Sequence, residues 1–220
     1  MALTVLYQDK SLAVAVKPVG VLSEDHEREP CMPALLREAL GKPDVYVGTV
    51  HRLDKNVGGL MVYALTPDMT GKLSNALATE GAGKEYLAVL LGKPEEGSGT
   101  LTDLLFHDRQ KNKTYVVKRK RNGVKEASLS YRVVKTEGEK TLVAVKLHTG
   151  RTHQIRVQFS SRGLPLVGDS RYGGGKGEPA LFAYRLTFRH PRTGERLTFC
   201  HMPEGNALGG LSLDGLEDVL

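Results

Sequence analysis

Nine short runs of β-branched or alternating residues dominate this chain: TVLYQD, SLAVAVK, MVYAL, EYLAVLLG, TYVVKR, ASLSYRVVK, TLVAVKLHT, LFAYRLTF and RLTFCH. They are closed by Gly, Pro, Asn or Asp, which reads as strands ended by turns. Connections such as KTEGEK at 135–140 are too short for a crossover helix, so antiparallel pairing is expected rather than βαβ winding. Helix-like segments are few: PALLREAL at 33–40, a run with Thr66 as N-cap, Pro67 at the first helical position and Leu73, Ala76 and Leu77 on one face, and RTHQIRVQFSS from 151. The expected class is α+β, with a largely antiparallel mixed sheet and flanking helices.

With 220 residues, 40% of them hydrophobic, the chain suffices for one sizeable core, in one compact unit or two lobes. No stretch approaches the roughly 20 apolar residues that span a bilayer, and the start lacks a leader pattern, so a cytoplasmic protein with no membrane partner is expected. Cys31 and Cys200 give neither a disulfide framework nor metal spacing. Lys and Arg number 31 against 25 Asp and Glu, a net charge of +6 that favours polyanionic partners. GGGKGEP at 173–179 reads as a flexible surface loop, and 204–220 as a C-terminal tail.

Three stretches carry candidate chemistry. HRLDKNVGGL at 51–60 sets His51, Arg52 and Asp54 before an apolar run, as a turn or as a site. In TGRTHQIRVQF, Thr149 or Gly150 caps a helix with Arg151 in its first turn, where the dipole disfavours a cation by a few tenths of a kcal/mol unless an anion compensates. Asp54 is a candidate for that anion, and as a carboxylate it would serve as nucleophile or base. KNKTYVVKRKRNGVK at 111–125 holds seven basic residues and no acid; it reads as a hairpin turning at Asn122-Gly123, with Lys118, Arg119, Lys120 and Arg121 placed to grip phosphates and Tyr115 as a stacking ring or a core residue. The alternative reading of that hairpin is a lysine-protected edge strand. His148 and His153 lack the cysteine or carboxylate partners of a metal site, and no metal is expected.

In order and at plausible spacing, VLYQDKSLAVAVKPVG, HRLDKNVGGL, KEYLAVLLG, HTGRTHQIRVQF and GLPLVGDSRYG resemble the RluA-type RNA pseudouridine synthases. The resemblance implies the pseudouridine synthase fold with a central cleft over residues 1–203, and conversion of specific uridines in rRNA or tRNA to pseudouridine. By the same resemblance Asp54 is the catalytic aspartate, Tyr86 packs on the flipped uracil, Arg151 pairs with Asp54, Arg52 enters the stack vacated by the uridine, and Ile155 lines the base pocket. Isomerisation is redox-neutral and needs no second substrate, so no cofactor is implied, and a monomer is expected. The first strand pair opens the sequence, so RNA grip is expected from the catalytic domain itself.

The departure from the family lies at Val57-Gly58-Gly59, where relatives commonly carry Thr-Ser-Gly, and the additional glycine is expected to loosen that turn. Gln158, where many relatives have histidine, is given no catalytic role. Two rivals stand beside the enzyme reading. One is a non-catalytic RNA-binding or ribosome-associated protein of the same fold. The other is a nucleoside hydrolase or glycosidase, which needs a second carboxylate; Asp169 in LVGDSRYG is the suspect, although its Gly-Asp setting reads as a turn that fixes a loop.

Overall fold

The computed structural model describes residues 3–79, 81–205 and 208–211. Along the chain run β1 (Val5–Gln8), β2 (Leu12–Lys17), α1 (Met32–Ala39), β3 (Gly48–Thr49), β4 (Gly58–Ala64) and α2 (Pro67–Ala78). Then come β5 (Gly83–Leu91), β6 (Ser98–Asp108), β7 (Lys113–Val117), β8 (Val124–Glu137) and β9 (Lys140–Leu147). After α3 (Gln154–Ser160), β10 (Leu181–Arg189) and β11 (Arg196–Cys200) complete the described elements. The residues gather into two compact units, Met1–Lys84 with Ala183–Pro203, and Glu85–Phe182 with Glu204–Leu220. The chain passes from one to the other inside β5 and again inside β10.

In the first unit the strand order is β1-β2-β4-β10, with β3 on β4 and β11 on β10. The β1–β2, β2–β4, β3–β4 and β10–β11 pairings are antiparallel. Period-two alternation sends Leu12 and Val14 of β2 and Leu60, Val62 and Ala64 of β4 to one face, where they cluster with Met69 and Leu73 of α2. Helix α2 begins where Thr66 and Pro67 predict. The Thr66 hydroxyl bonds the Asp68 carboxylate at 2.6 Å rather than a backbone amide, so its contribution is to order the first turn.

In the second unit the order is β5-β9-β8-β6-β7, every pairing antiparallel. The segment 111–125 is not a hairpin. Its Asn122-Gly123 turn exists, closed by Val124 N to Arg121 O at 3.1 Å, but β6 lies between the two strands it joins. Phe106 of β6 faces Tyr115 on one side and Val124 on the other, and the tight turn belongs instead to 109–112, where Asn112 takes a φ of 44°. Helix α3 packs Val157 against Leu105, Ala127 and Tyr172. The 173–179 loop is anchored at its start rather than flexible: Gly174 is buried and accepts from Gly168 N at 2.7 Å, and a Cβ on it would overlap the Leu166 backbone. Leu208 and Leu211 are buried, while 206–207 and 212–220 of the expected tail lie outside the described residues.

Candidate active site and nucleic-acid interface

Asp54 opens a four-residue turn, closed by Val57 N donating to Asp54 O at 3.0 Å, and is half-buried. Gly58 and Gly59 are not part of that turn; they begin β4, and Gly59 pairs with Lys17 of β2. The glycine pair therefore does not loosen the turn. Gly59 has a φ of 129°, and a Cβ there would collide with the backbone of Ala183, so this position accepts only glycine. Val57 is buried, which accounts for an apolar residue at that position.

The Asp54 turn is held from behind by residues 17–23. Lys17 is fully buried, and its Nζ donates to the carbonyls of Pro18 at 2.9 Å, Val21 at 2.7 Å and Lys55 at 3.0 Å, satisfying all three N–H groups. Gly20 N reaches the same Lys55 carbonyl at 2.9 Å. Ser23 locks the residue before Asp54, its Oγ donating to Leu53 O at 2.8 Å while accepting from Leu53 N at 3.0 Å. Burial pulls the Lys17 ammonium down to about 8, against the opposing pull of the Asp54 carboxylate. Neither Lys17 nor Ser23 emerges from the sequence as a site residue. The only signal is a lysine ending the apolar run SLAVAVK just before Pro-Val-Gly.

His51 is structural. Its Nε2 accepts from Val62 N at 3.0 Å, so the proton of the neutral ring sits on Nδ1. Burial first, and then the Lys84 charge, hold its pKa down to about 3. The unfolded chain binds a proton near 6.5 while the folded one does not until about 3, so stability falls on acidification through that window. Urea unfolding between those limits is expected to lose about 1.4 kcal/mol per pH unit from this residue. His51→Asn, which keeps an acceptor for Val62 N, should remove that share of the slope; an unchanged slope would place the acid sensitivity elsewhere.

Arg151 does not stand in the first turn of a helix. Helix α3 starts three residues later, after His153, whose φ of 54° is left-handed. The Gln154 side chain ties the preceding turn instead: its Oε1 accepts from Arg151 N at 3.0 Å and from Thr149 Oγ1 at 2.8 Å. Arg151 is exposed, and its Nε donates to Glu126 O at 3.0 Å, so the helix-dipole penalty expected for it does not arise. Tyr86 lies buried in β5 opposite Val145 of β9, and Ile155 is buried in α3. Tyr86, Arg151 and Ile155 belong to the second unit, Asp54 and Arg52 to the first.

Arg52 is exposed, with an Nη on Glu24 at 2.9 Å. Lys118, Arg119, Lys120 and Arg121 are all exposed on the crossing between β7 and β8. There the Arg121 guanidinium lies 4.8 Å from the centre of the Phe106 ring. Gln158 is buried and structural, donating to Leu101 O at 3.2 Å and Asp103 Oδ2 at 2.7 Å. Asp169 is wholly buried in a bidentate pair with Arg156, at 2.7 and 2.8 Å, while its backbone closes turns to Leu166 and Gly174. It anchors a loop, and both its oxygens face a guanidinium rather than a water to be activated. Among the described residues no cluster of His, Cys, Asp or Glu has the makings of a metal site, and no helix is long and apolar enough to cross a membrane.

A two-unit α+β chain of antiparallel strands, with an Asp-bearing turn stapled by a buried lysine, fits one family. The profile described as RNA pseudouridylate synthase matches residues 11–161. The chain is 35% identical over 219 residues to ribosomal large subunit pseudouridine synthase D of Pseudomonas aeruginosa, covering 89% of this chain and 66% of that protein. To the protein of the same name in Nitrosomonas europaea it is 34% identical over 211 residues, covering 89% and 60%. An uncharacterized RNA pseudouridine synthase of Bacillus subtilis is 32% identical, covering 94% and 71%. Two human RNA pseudouridylate synthase domain-containing proteins, 4 and 1, share the fold, each with a TM-score of 0.73 at 23% identity and covering 91% and 99% of this chain. The chain belongs to the RNA pseudouridylate synthase family. It spans just under two thirds of the length of the Pseudomonas and Nitrosomonas relatives.

Proposed function

We propose that this chain is an RNA pseudouridine synthase that isomerises specific uridines in rRNA or tRNA, with Asp54 as the catalytic residue. The observation that carries the reading is the Asp54 turn itself: a half-buried carboxylate in the HRLD motif, inside the family match, with the Lys17 ammonium and the Ser23 hydroxyl fixing the backbone on either side. In the reaction the bond between the sugar and uracil N1 breaks, the base turns, a bond forms from the sugar to C5, the C5 hydrogen leaves as a proton to solvent, and N1 takes up a proton in its place. Asp54 opens this sequence by attacking the anomeric carbon or by taking a proton from the adjacent sugar carbon. Arg151 pairs with Asp54, Tyr86 packs on the detached uracil, and Ile155 closes the pocket so that the base is not lost to water. Arg52 fills the gap left by the flipped uridine, recovering part of the few kcal/mol spent on unstacking. Residues 1–203 serve as the catalytic domain and 204–220 as a tail, in a cytoplasmic monomer that needs neither metal nor cofactor.

The names of the Pseudomonas and Nitrosomonas relatives favour large-subunit rRNA as the substrate. Pseudouridine mapping by chemical labelling and primer extension, in cells lacking the gene, is expected to show lost sites that wild type restores and Asp54→Ala does not. Restoration of every site by Asp54→Ala would overturn the assignment of the catalytic residue, and no lost site would favour a binding protein of the same fold. Replacing Lys118, Arg119, Lys120 and Arg121 by serine should lower the dependence of log Kd on log salt by about 0.7 to 0.9 for each phosphate contact removed. An unchanged slope would make that crossing a solvated surface.

A further inference from the structure

The second unit carries a groove of about 320 Å³ between the outermost strand β7, the end of α3 and the turn at 171–173. Two cations line it, Lys113 and Arg171, and no acidic residue does. Neither cation has a salt-bridge partner among the described residues. Arg171 is oriented by the backbone: one Nη donates to Lys111 O at 2.9 Å and to Asn112 O at 2.7 Å, leaving the other three of its five N–H groups for an acceptor. The Lys113 ammonium lies 5.7 Å from the centre of the Tyr115 ring and 5.4 Å from that of Tyr172.

Tyr115 is the feature that singles this groove out. A core tyrosine is the commoner case, yet this ring is 37% exposed and its hydroxyl has no protein partner among the described residues. Tyr172, by contrast, is buried, accepting from Thr114 N at 2.8 Å and meeting His153 Nδ1 at 2.9 Å, so it forms a fixed wall. Residues 109–125, which include β7, hold eight Lys or Arg and no acid. The strand that lines the groove thus runs directly into the basic Lys118–Arg121 crossing.

Resting on the reading of RNA as substrate, we propose that this groove binds a single-stranded nucleotide of that RNA outside the reacting uridine, its base stacked on Tyr115 and its phosphate held by Lys113 and Arg171. A flat π-face with two cations beside it, Arg171 held by backbone carbonyls and Lys113 lying by the two tyrosine rings, is the combination that recognises a nucleotide without reading its sequence. An acidic peptide would satisfy the cations but leave the Tyr115 face uncovered. A duplex would keep its bases stacked inside and offer that ring nothing to stack on. The groove thus supplies the single-strand grip, and the crossing supplies sequence-blind attraction to phosphate.

The test is fluorescence anisotropy with the whole chain and three probes: a short fluorescein-labelled oligouridylate, a duplex RNA of equal length, and a fluorescein-labelled polyglutamate peptide. Tyr115→Leu, which keeps an apolar side chain on an exposed strand position, should weaken oligouridylate binding roughly tenfold and duplex binding far less. Lys113→Ser should lower the salt slope for oligouridylate by about 0.7, and Arg171→Lys, which retains charge but not the anchored fork, should weaken it as well. Unfolding midpoints of all three variants serve as the fold control. The groove is refuted on its own if wild type binds oligouridylate, serine substitution at 118–121 weakens it, and the three groove variants bind as wild type does. Preference for polyglutamate over RNA, lost with Lys113→Ser, would make it a peptide site instead. No RNA binding by wild type would remove the substrate reading and the groove together.

Discussion

Asp54→Asn is expected to lower single-turnover pseudouridine formation by roughly 10⁴-fold or more while leaving the unfolding midpoint and RNA affinity nearly unchanged. The amide has the size of the carboxylate and keeps the turn, because the turn is closed through backbone atoms, Val57 N to Asp54 O. What the change removes is the negative charge and the nucleophilic or basic oxygen, needed on either route. Lys17 is left buried without the opposing charge that offsets its desolvation, so a small loss of stability above that of wild type is part of the expectation. A variant that bound RNA normally and turned over at more than a tenth of the wild-type rate would exclude Asp54 as the reacting group.

Asp169→Ala is expected to cost about 3–5 kcal/mol, because it leaves the buried Arg156 guanidinium without its two carboxylate contacts. For a chain of this length the unfolding midpoint should fall by roughly 10 °C, enough to make the protein poorly soluble on expression. A double variant, Asp169→Leu with Arg156→Met, removes both charges together and should recover part of the loss. This pair of results also separates the isomerase from a hydrolase. Were Asp169 the second carboxylate of a glycosidase, Asp169→Asn would abolish bond cleavage in a protein of normal stability, and the double variant would recover nothing useful. The buried bidentate pairing predicts that stability moves first and activity follows it.

The strands were legible because their apolar residues alternate, and alternation survives whatever the partner strand is: Leu12, Val14, Leu60 and Val62 face one core as the pattern demands. Pairing was not legible where it depends on distant residues. The Asn122-Gly123 turn signal is genuine, yet the strand beside β7 is β6, chosen by a register running from Leu104↔Val117 to Asp108↔Lys113 that no local rule contains. The start of α3 was misread for a different reason. Propensity extends the helix back to Arg151, but a left-handed His153 and the amide of Gln154 reaching back to Arg151 N end it at 154. Asp54 stood out as a charged residue ahead of an apolar run, whereas Lys17 did not. Lysine is almost always solvated, and only the three carbonyls converging on its Nζ explain its burial.

The central claim is that this chain exchanges a bond at uracil N1 for one at C5 of the same nucleotide. Joining the sugar to C5 displaces the hydrogen there, so purified protein should release tritium to water from rRNA carrying [5-³H]uridine, with one pseudouridine appearing for each tritium lost and no free uracil. Asp54→Asn should release none. Free uracil without tritium release would identify a hydrolase, and tight RNA binding with neither product would identify a binding protein; both results contradict the account.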